Sequence, residues 1–128
     1  MMPPELYGTR SVLVVEDQPE MRTVTTLILK HAGYTVVEVE NGQEAINLLR
    51  KRPVDIMVLD MVLEQSFDGL DCYREAIAIR PGQKAIIVSG SAVTSRVLKA
   101  QRLGAGRFVL KPFKANTLLQ ALREELGD

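Results

Sequence analysis

Five side chains in this sequence are of the kinds that move phosphoryl groups or hold hard cations, and each follows a short apolar run. Asp60 ends the run "DIMVL" (55–59), with apolar Met61 and Val62 behind it in place of a Gly or Asn turn. Glu16 and Asp17 follow "SVLVV" (11–15), Ser89 closes "KAIIVS" (84–89), and Lys111 follows "RFVL" (107–110). If the runs are neighbouring strands, three carboxylates, a hydroxyl and an ammonium converge. Carboxylates that close raise one another's pKa and cost stability unless a cation sits among them. Oxygen-only ligands suit Mg²⁺ or Mn²⁺. A divalent cation plus a lysine is what phosphoryl transfer requires, because the transferred group carries charge on its equatorial oxygens. The chain has no P-loop, no Gly-rich turn after the first run and no catalytic histidine. The nucleophile expected from this set is a carboxylate, as in aspartyl-phosphate chemistry.

The elements that must position these groups are legible as a strict alternation. A fifth run, "TVVEV" (35–39), joins the other four, and most are continuous and rich in Val and Ile, as in a parallel sheet covered on both faces. Helical patterns lie between them. Residues 19–32 place Met21, Val24, Leu27 and Ile28 on one face, with Pro19 suited to the first helical position and Gly33 to the stop. "NGQEAINLL" opens on Asn41 as an N-cap with Glu44 at capping-box spacing. Leu70 to Ile79 is a third helix closed by "RPG", 92–103 a fourth ended by Gly104, and 114–126 a fifth. Five βα units with right-handed crossovers give an α/β fold, a doubly wound five-stranded parallel sheet of order 2-1-3-4-5, flavodoxin-like. The chain reverses between strands 1 and 3, and the crevice at their C-terminal ends is where such sheets place chemistry.

Bulk properties agree with one such domain over residues 11–128, preceded by a tail or linker, "MMPPELYGTR" (1–10). Sixteen basic residues balance sixteen acidic ones, so no net field draws the chain to nucleic acid or anionic lipid. Cys72 is the single cysteine, which excludes an internal disulfide. No apolar run is long enough to span a membrane and no signal core opens the chain, so the cytoplasm is the expected compartment.

"VLVVEDQ", "VLDMV…DG", "IIVSGS" and "GAGRFVLKPF", in this order and at these spacings, resemble the receiver domain of two-component response regulators over residues 11 to about 126. The resemblance implies that Asp60 accepts a phosphoryl group from a histidine kinase or a histidine phosphotransfer domain. It implies that Asp17 and Asp60 hold Mg²⁺ (or Mn²⁺) directly, with the backbone carbonyl of Val62 as third protein ligand and Glu16 acting through water. Ser89 matches the hydroxyl residue that turns to the phosphoryl group, and Lys111 the site lysine, followed by a cis bond to Pro112. Phe108 matches the aromatic switch position, on a face of helix 4, strand 5 and helix 5 where partner binding or homodimerisation is expected. Such a chain is not an enzyme; it catalyses only its own phosphorylation and dephosphorylation. "PPELYG" and the stretch from Asp68 to Gly90 also resemble C-terminal receivers of hybrid sensor histidine kinases.

The departures are specific. Glu16 stands where Asp is commoner, the step from Asp60 to "DG" is one residue longer than usual, and the usual Met-Pro after the acceptor is absent. The loop "MVLEQSFDG" is therefore expected to take its own path. A steric switch is expected at Phe108, which lacks the hydroxyl of a Tyr. Two other functions compete. A phosphatase of the haloacid dehalogenase type needs an acid two residues past the nucleophile, where this chain has Val62. A phosphorylation-independent pseudo-receiver is disfavoured by the complete acid, hydroxyl and lysine set. His31 is a dipole-compatible residue of a last helical turn, Cys72 a packed thiol, and the Lys and Arg residues of 96–107 a solvated face.

Overall fold

A computed structural model describes residues 10–63, 66–90 and 93–128. The expected tail therefore lies, but for Arg10, outside the described residues, as does position 92. Five strands, β1 (Ser11–Val15), β2 (Thr35–Val39), β3 (Ile56–Asp60), β4 (Lys84–Ser89) and β5 (Phe108–Leu110), alternate with five helices. These are α1 (Pro19–His31), α2 (Gly42–Lys51), α3 (Gly69–Ile79), α4 (Ser95–Arg102) and α5 (Ala115–Leu126). All strands are parallel, in the order β2-β1-β3-β4-β5.

The pleat divides the core in two. Leu13, Met57, Leu59 and Ile87 pack with α2, α3 and α4 on one face, and Val12, Val58, Ile86 and Val109 pack with α5 and Leu29 of α1 on the other. β3 is buried along its whole length, as its unbroken apolar run predicts. β2 is not: as the edge strand it is only partly covered.

Strand ends shift by one residue from the sequence reading. β3 begins at Ile56 and includes Asp60, because Asp55 instead turns its carboxylate back to the Ser11 amide (2.7 Å). Asn41 caps α2 by accepting from the Glu44 amide at 2.8 Å. The full reciprocal capping box lies on α3, where Asp68 and Asp71 exchange hydrogen bonds. α4 starts at Ser95, capped by Thr94.

The face of α1 differs from its apolar periodicity. Val24 is 49% exposed and Leu27 61%, while Thr25, Thr26 and Leu29 face inward. The threonines are accommodated there: the Thr26 hydroxyl donates to Glu38 of β2, and Thr25 abuts a small void beneath Glu16 and Asp60. The displaced Leu27 forms, with Ile28, His31, Ala115 and Leu119, a shallow apolar groove between α1 and α5.

Candidate functional site

The five groups singled out above come together at the C-terminal edge of the sheet. Asp60, the last residue of β3, is 4% exposed. Its Oδ2 accepts from Lys111 Nζ at 3.0 Å and its Oδ1 from the Val62 amide at 3.1 Å. The Val62 side chain points to solvent, so it is the backbone of this loop that addresses the site. Glu16, equally buried, uses both oxygens: Oε1 accepts from Lys111 Nζ at 2.5 Å and Oε2 from the Gln18 amide at 3.2 Å. Its carbonyl accepts from Arg22. One carboxylate thus spans both the lysine and Gln18, the residue before α1. Asp17, next in sequence, is exposed at the mouth.

Ser89 ends β4 and is 2% exposed, and its carbonyl accepts from the Lys111 amide at 2.8 Å. That bond, and the cis Lys111–Pro112 peptide, fix where the lysine leaves β5. Phe108 packs against the core cluster that contains Val97 and Ala100 of α4.

The charges are arranged at some cost. Burial raises the Glu16 carboxyl above its ordinary value; its contact with Asp60 adds to this and Lys111 opposes it. Burial, then Glu16, likewise raise Asp17. Burial alone would lower Lys111, but Glu16 and Asp60 together hold its ammonium above the usual lysine value. One ammonium thus contacts two of the three carboxylates. Oxygens of Glu16, Asp17 and Asp60 lie within 4.8 Å of one another, close enough to share one ion. An all-oxygen, net-negative cluster of this kind fits a hard divalent cation.

Two supports of the site were not legible in the sequence. Gly69 opens α3 against the acceptor itself: its amide donates to Met61 O at 3.0 Å, and a Cβ there would meet Asp60 O and Met61 Cα at 2.7 Å. Arg96 of α4 grips the N-terminus of α3, with Nη2 on Asp68 Oδ1 at 2.9 Å and on Asp71 at 3.3 Å. It thereby holds Asp68, the residue before α3, from the far side. Glu64 and Gln65 of the 61–69 loop, whose separate path was expected, lie outside the described residues. Cys72 is buried and its thiol is pushed up to about 12, which leaves it inert as a nucleophile.

The profile of the response regulator receiver domain matches residues 12–123. The chain belongs to this family. Among its relatives, the chemotaxis protein CheY of Thermotoga maritima is 32% identical over 116 residues, covering 90% of this chain and 96% of that one. The CheY of Listeria monocytogenes is 35% identical over 114 residues, 88% and 95% of the two chains. A CheY-like receiver domain from Methanospirillum hungatei superimposes with a TM-score of 0.86 at 25% identity, over 92% and 94% of the two chains. The receiver domain of the sensor histidine kinase PA1611 from Pseudomonas aeruginosa, solved with a magnesium ion in its active-site cleft, gives 0.83 at 26% identity over 93% and 98%. A receiver domain of two-component signalling, with a CheY-like fold, is thus the family reading of this chain. Among the described residues no helix is long and apolar enough to cross a membrane.

The receiver's acid cluster makes the stability of the metal-free protein depend on pH. Glu16 and Asp17 have folded-state values above their unfolded ones, so the folded state holds more protons across that window, and stability falls as pH rises through it. Asp17→Asn removes one of these charges and is expected to stabilise the metal-free protein at pH 7. The gain is on the order of 0.5 kcal/mol, since Asp17 is exposed and screened, and it should vanish below about pH 4. Urea denaturation at the two pH values, with chelator present, measures this; a destabilised variant at pH 7 contradicts it.

Proposed function

We propose that this receiver takes a phosphoryl group from a phosphohistidine of a histidine kinase or histidine phosphotransfer domain onto Asp60. The observation that carries the reading is the pairing of a buried strand-end carboxylate with Lys111 and two further carboxylates. An Asp60 oxygen attacks phosphorus; a P–O bond forms as the P–N bond breaks, and the donor imidazole leaves with the electron pair. Lys111 already lies on Asp60 Oδ2, where it meets the negative charge of the incoming group, and the Val62 amide holds Oδ1. Asp17, Asp60 and the Val62 carbonyl would hold Mg²⁺ (or Mn²⁺), with Glu16 reaching it through water. The cation, when bound, offsets charge on the phosphoryl oxygens. Transfer is stoichiometric, and the chain acts as a switch, not as a turnover enzyme. The chain acts in the cytoplasm, where such donors reside.

The phosphorylated state differs from the resting one on the face of α4, β5 and α5. Ser89 turns its hydroxyl to the phosphoryl group, and Phe108, which shares a core cluster with α4, follows into the vacated space. This needs two discrete packings separated by a small gap. Beryllium fluoride, which mimics the phosphoryl group, is expected to change amide hydrogen exchange within residues 93–113 severalfold while leaving β1 and β3 protected. Identical exchange in both states would refute the switch.

A further inference from the structure

Arg96 is badly placed for its own helix. It stands in the first turn of α4, where the backbone amides already carry partial positive charge and no acidic residue offsets it. It does not cap the helix either, because Thr94 does so by accepting from the Val97 amide at 3.3 Å. Its planar fork reaches across to α3 instead. Nε and Nη2 take the two oxygens of Asp68, Nη2 at 2.9 Å, and Nη2 also reaches Asp71 at 3.3 Å. Asp68 and Asp71 are the two members of the α3 capping box. Three side chains thus join the first turns of two helices. Burial alone would raise the Asp68 carboxyl, but Arg96 and the Asp71 amide hold it below its ordinary value.

The two helices are anchored unequally. α3 buries Leu70, Cys72, Tyr73 and Ala76, and its first residue, Gly69, is bonded to Met61 O beside the acceptor. Met61 in turn donates to Val88 O of β4 at 2.9 Å. α4 is only eight residues long and buries Val97 and Ala100 alone. Among the described residues, its side chains hold the rest of the fold by two sets of hydrogen bonds: those of Arg96, and that of the Gln101 amide to Gly106 O at 3.0 Å. A helix with so little buried surface is one whose position few contacts decide. Thr94, its cap, is five residues past Ser89 in the chain.

We propose that the clasp of Arg96 on Asp68 and Asp71 is a latch, which holds α4 on α3 while Asp60 is unmodified and opens when the phosphoryl group arrives. The inference rests on the switch reading above and narrows it to one contact. A ligand that favours a second packing works against every contact made only in the first, so a latch closed at rest weakens the phosphoryl-bound state by the same factor. A two-pronged fork suits this task, because a small displacement of α4 breaks both prongs together and leaves two discrete arrangements. The Arg96 side chain is 42% exposed and that of Asp68 21%, so water takes over both charges when the clasp opens and the contact is weak enough to reverse. A purely structural clasp would stabilise both packings alike and leave the ligand's affinity untouched.

The test uses the whole chain as Arg96→Gln, as Asp68→Asn and with both substitutions. Asn at 68 can still cap α3, so this variant carries the test even where Arg96→Gln fails to fold. Beryllium is titrated at fixed fluoride and Mg²⁺, with amide NMR as the readout. Each single variant is expected to half-saturate at about threefold to fivefold less beryllium than wild type. The double variant should gain nothing beyond Arg96→Gln, and Arg96→Lys, which keeps the charge and loses the fork, should fall between. Without beryllium, the α4 amides of Arg96→Gln should already be displaced toward their beryllium fluoride positions. A folded variant that matches wild type in half-saturation and in α4 amides overturns the latch and leaves the switch standing, as do additive effects in the double variant. A wild-type chain whose amides at 93–113 ignore beryllium fluoride removes the switch, and the latch with it.

Discussion

With Asp60 replaced by Asn, incubation with acetyl phosphate and Mg²⁺ leaves the mass of the protein unchanged, where the wild-type chain gains one phosphoryl group. An amide oxygen is a far poorer nucleophile than a carboxylate, and a loss of about 4 kcal/mol in the barrier is already a thousandfold in rate. The variant should remain folded, because an Asn Oδ1 can still accept from the Val62 amide and the charge removed is one of three crowded together. The other carboxylates do not substitute. Both oxygens of Glu16 are engaged, and Asp17 sits at the exposed mouth without the lysine contact that Asp60 has. Intact-mass measurement decides it: a phosphoryl adduct that persists in Asp60→Asn would move the acceptor elsewhere.

Lys111→Met is the second large effect, and it is felt twice. The ammonium has only 16% of its side-chain surface exposed and pairs with carboxylates that are 6% and 5% exposed. Removing it leaves buried like charges uncompensated, which should cost about 2 kcal/mol of stability at pH 7. The sign with pH is definite. Without its lysine the Glu16 carboxyl rises further above its unfolded value, so the deficit is largest at neutral pH and shrinks as the medium is acidified and Glu16 takes up a proton. The second effect is on phosphoryl uptake, which should fall by at least tenfold even where the variant is fully folded and Mg²⁺ is saturating, since no ammonium then lies on Asp60 Oδ2. Denaturation at pH 5 and pH 7, together with the uptake rate, separates the two. A variant as stable as wild type at both pH values, and as quickly phosphorylated, would remove Lys111 from the site's electrostatics.

The order of strands and the meeting of Glu16, Asp17, Asp60, Ser89 and Lys111 were legible because each hangs on a single strand end, and a parallel sheet brings strand ends together whatever the loops do. The inward face of α1 was not legible. Its apolar residues do follow a helical period, but two threonines join Leu29 on the inward face, and only the positions of Glu38 and of the void under Asp60 show why. The Arg96 grip on Asp68 joins residues 28 apart across two helices, a distance at which no sequence period operates. Gly69 was visible as part of "DG", yet the reason for it, the lack of room for a Cβ beside Asp60 O, exists only once α3 is folded against β3.

Arg10, just before β1, and Asp128, just after α5, are joined by a 2.7 Å ion pair. They sit at the end of the sheet opposite to Asp60, because β1 begins where β3 begins and the acceptor stands where β3 ends. Residues 10 and 128 thus share one corner on the floor of the molecule. A load applied at Arg10 or Asp128 bears on that corner and not on the mouth where Asp60 lies. In mechanical terms the ion pair is a clasp on the floor of the sheet, and the acid cluster is carried at the opposite end.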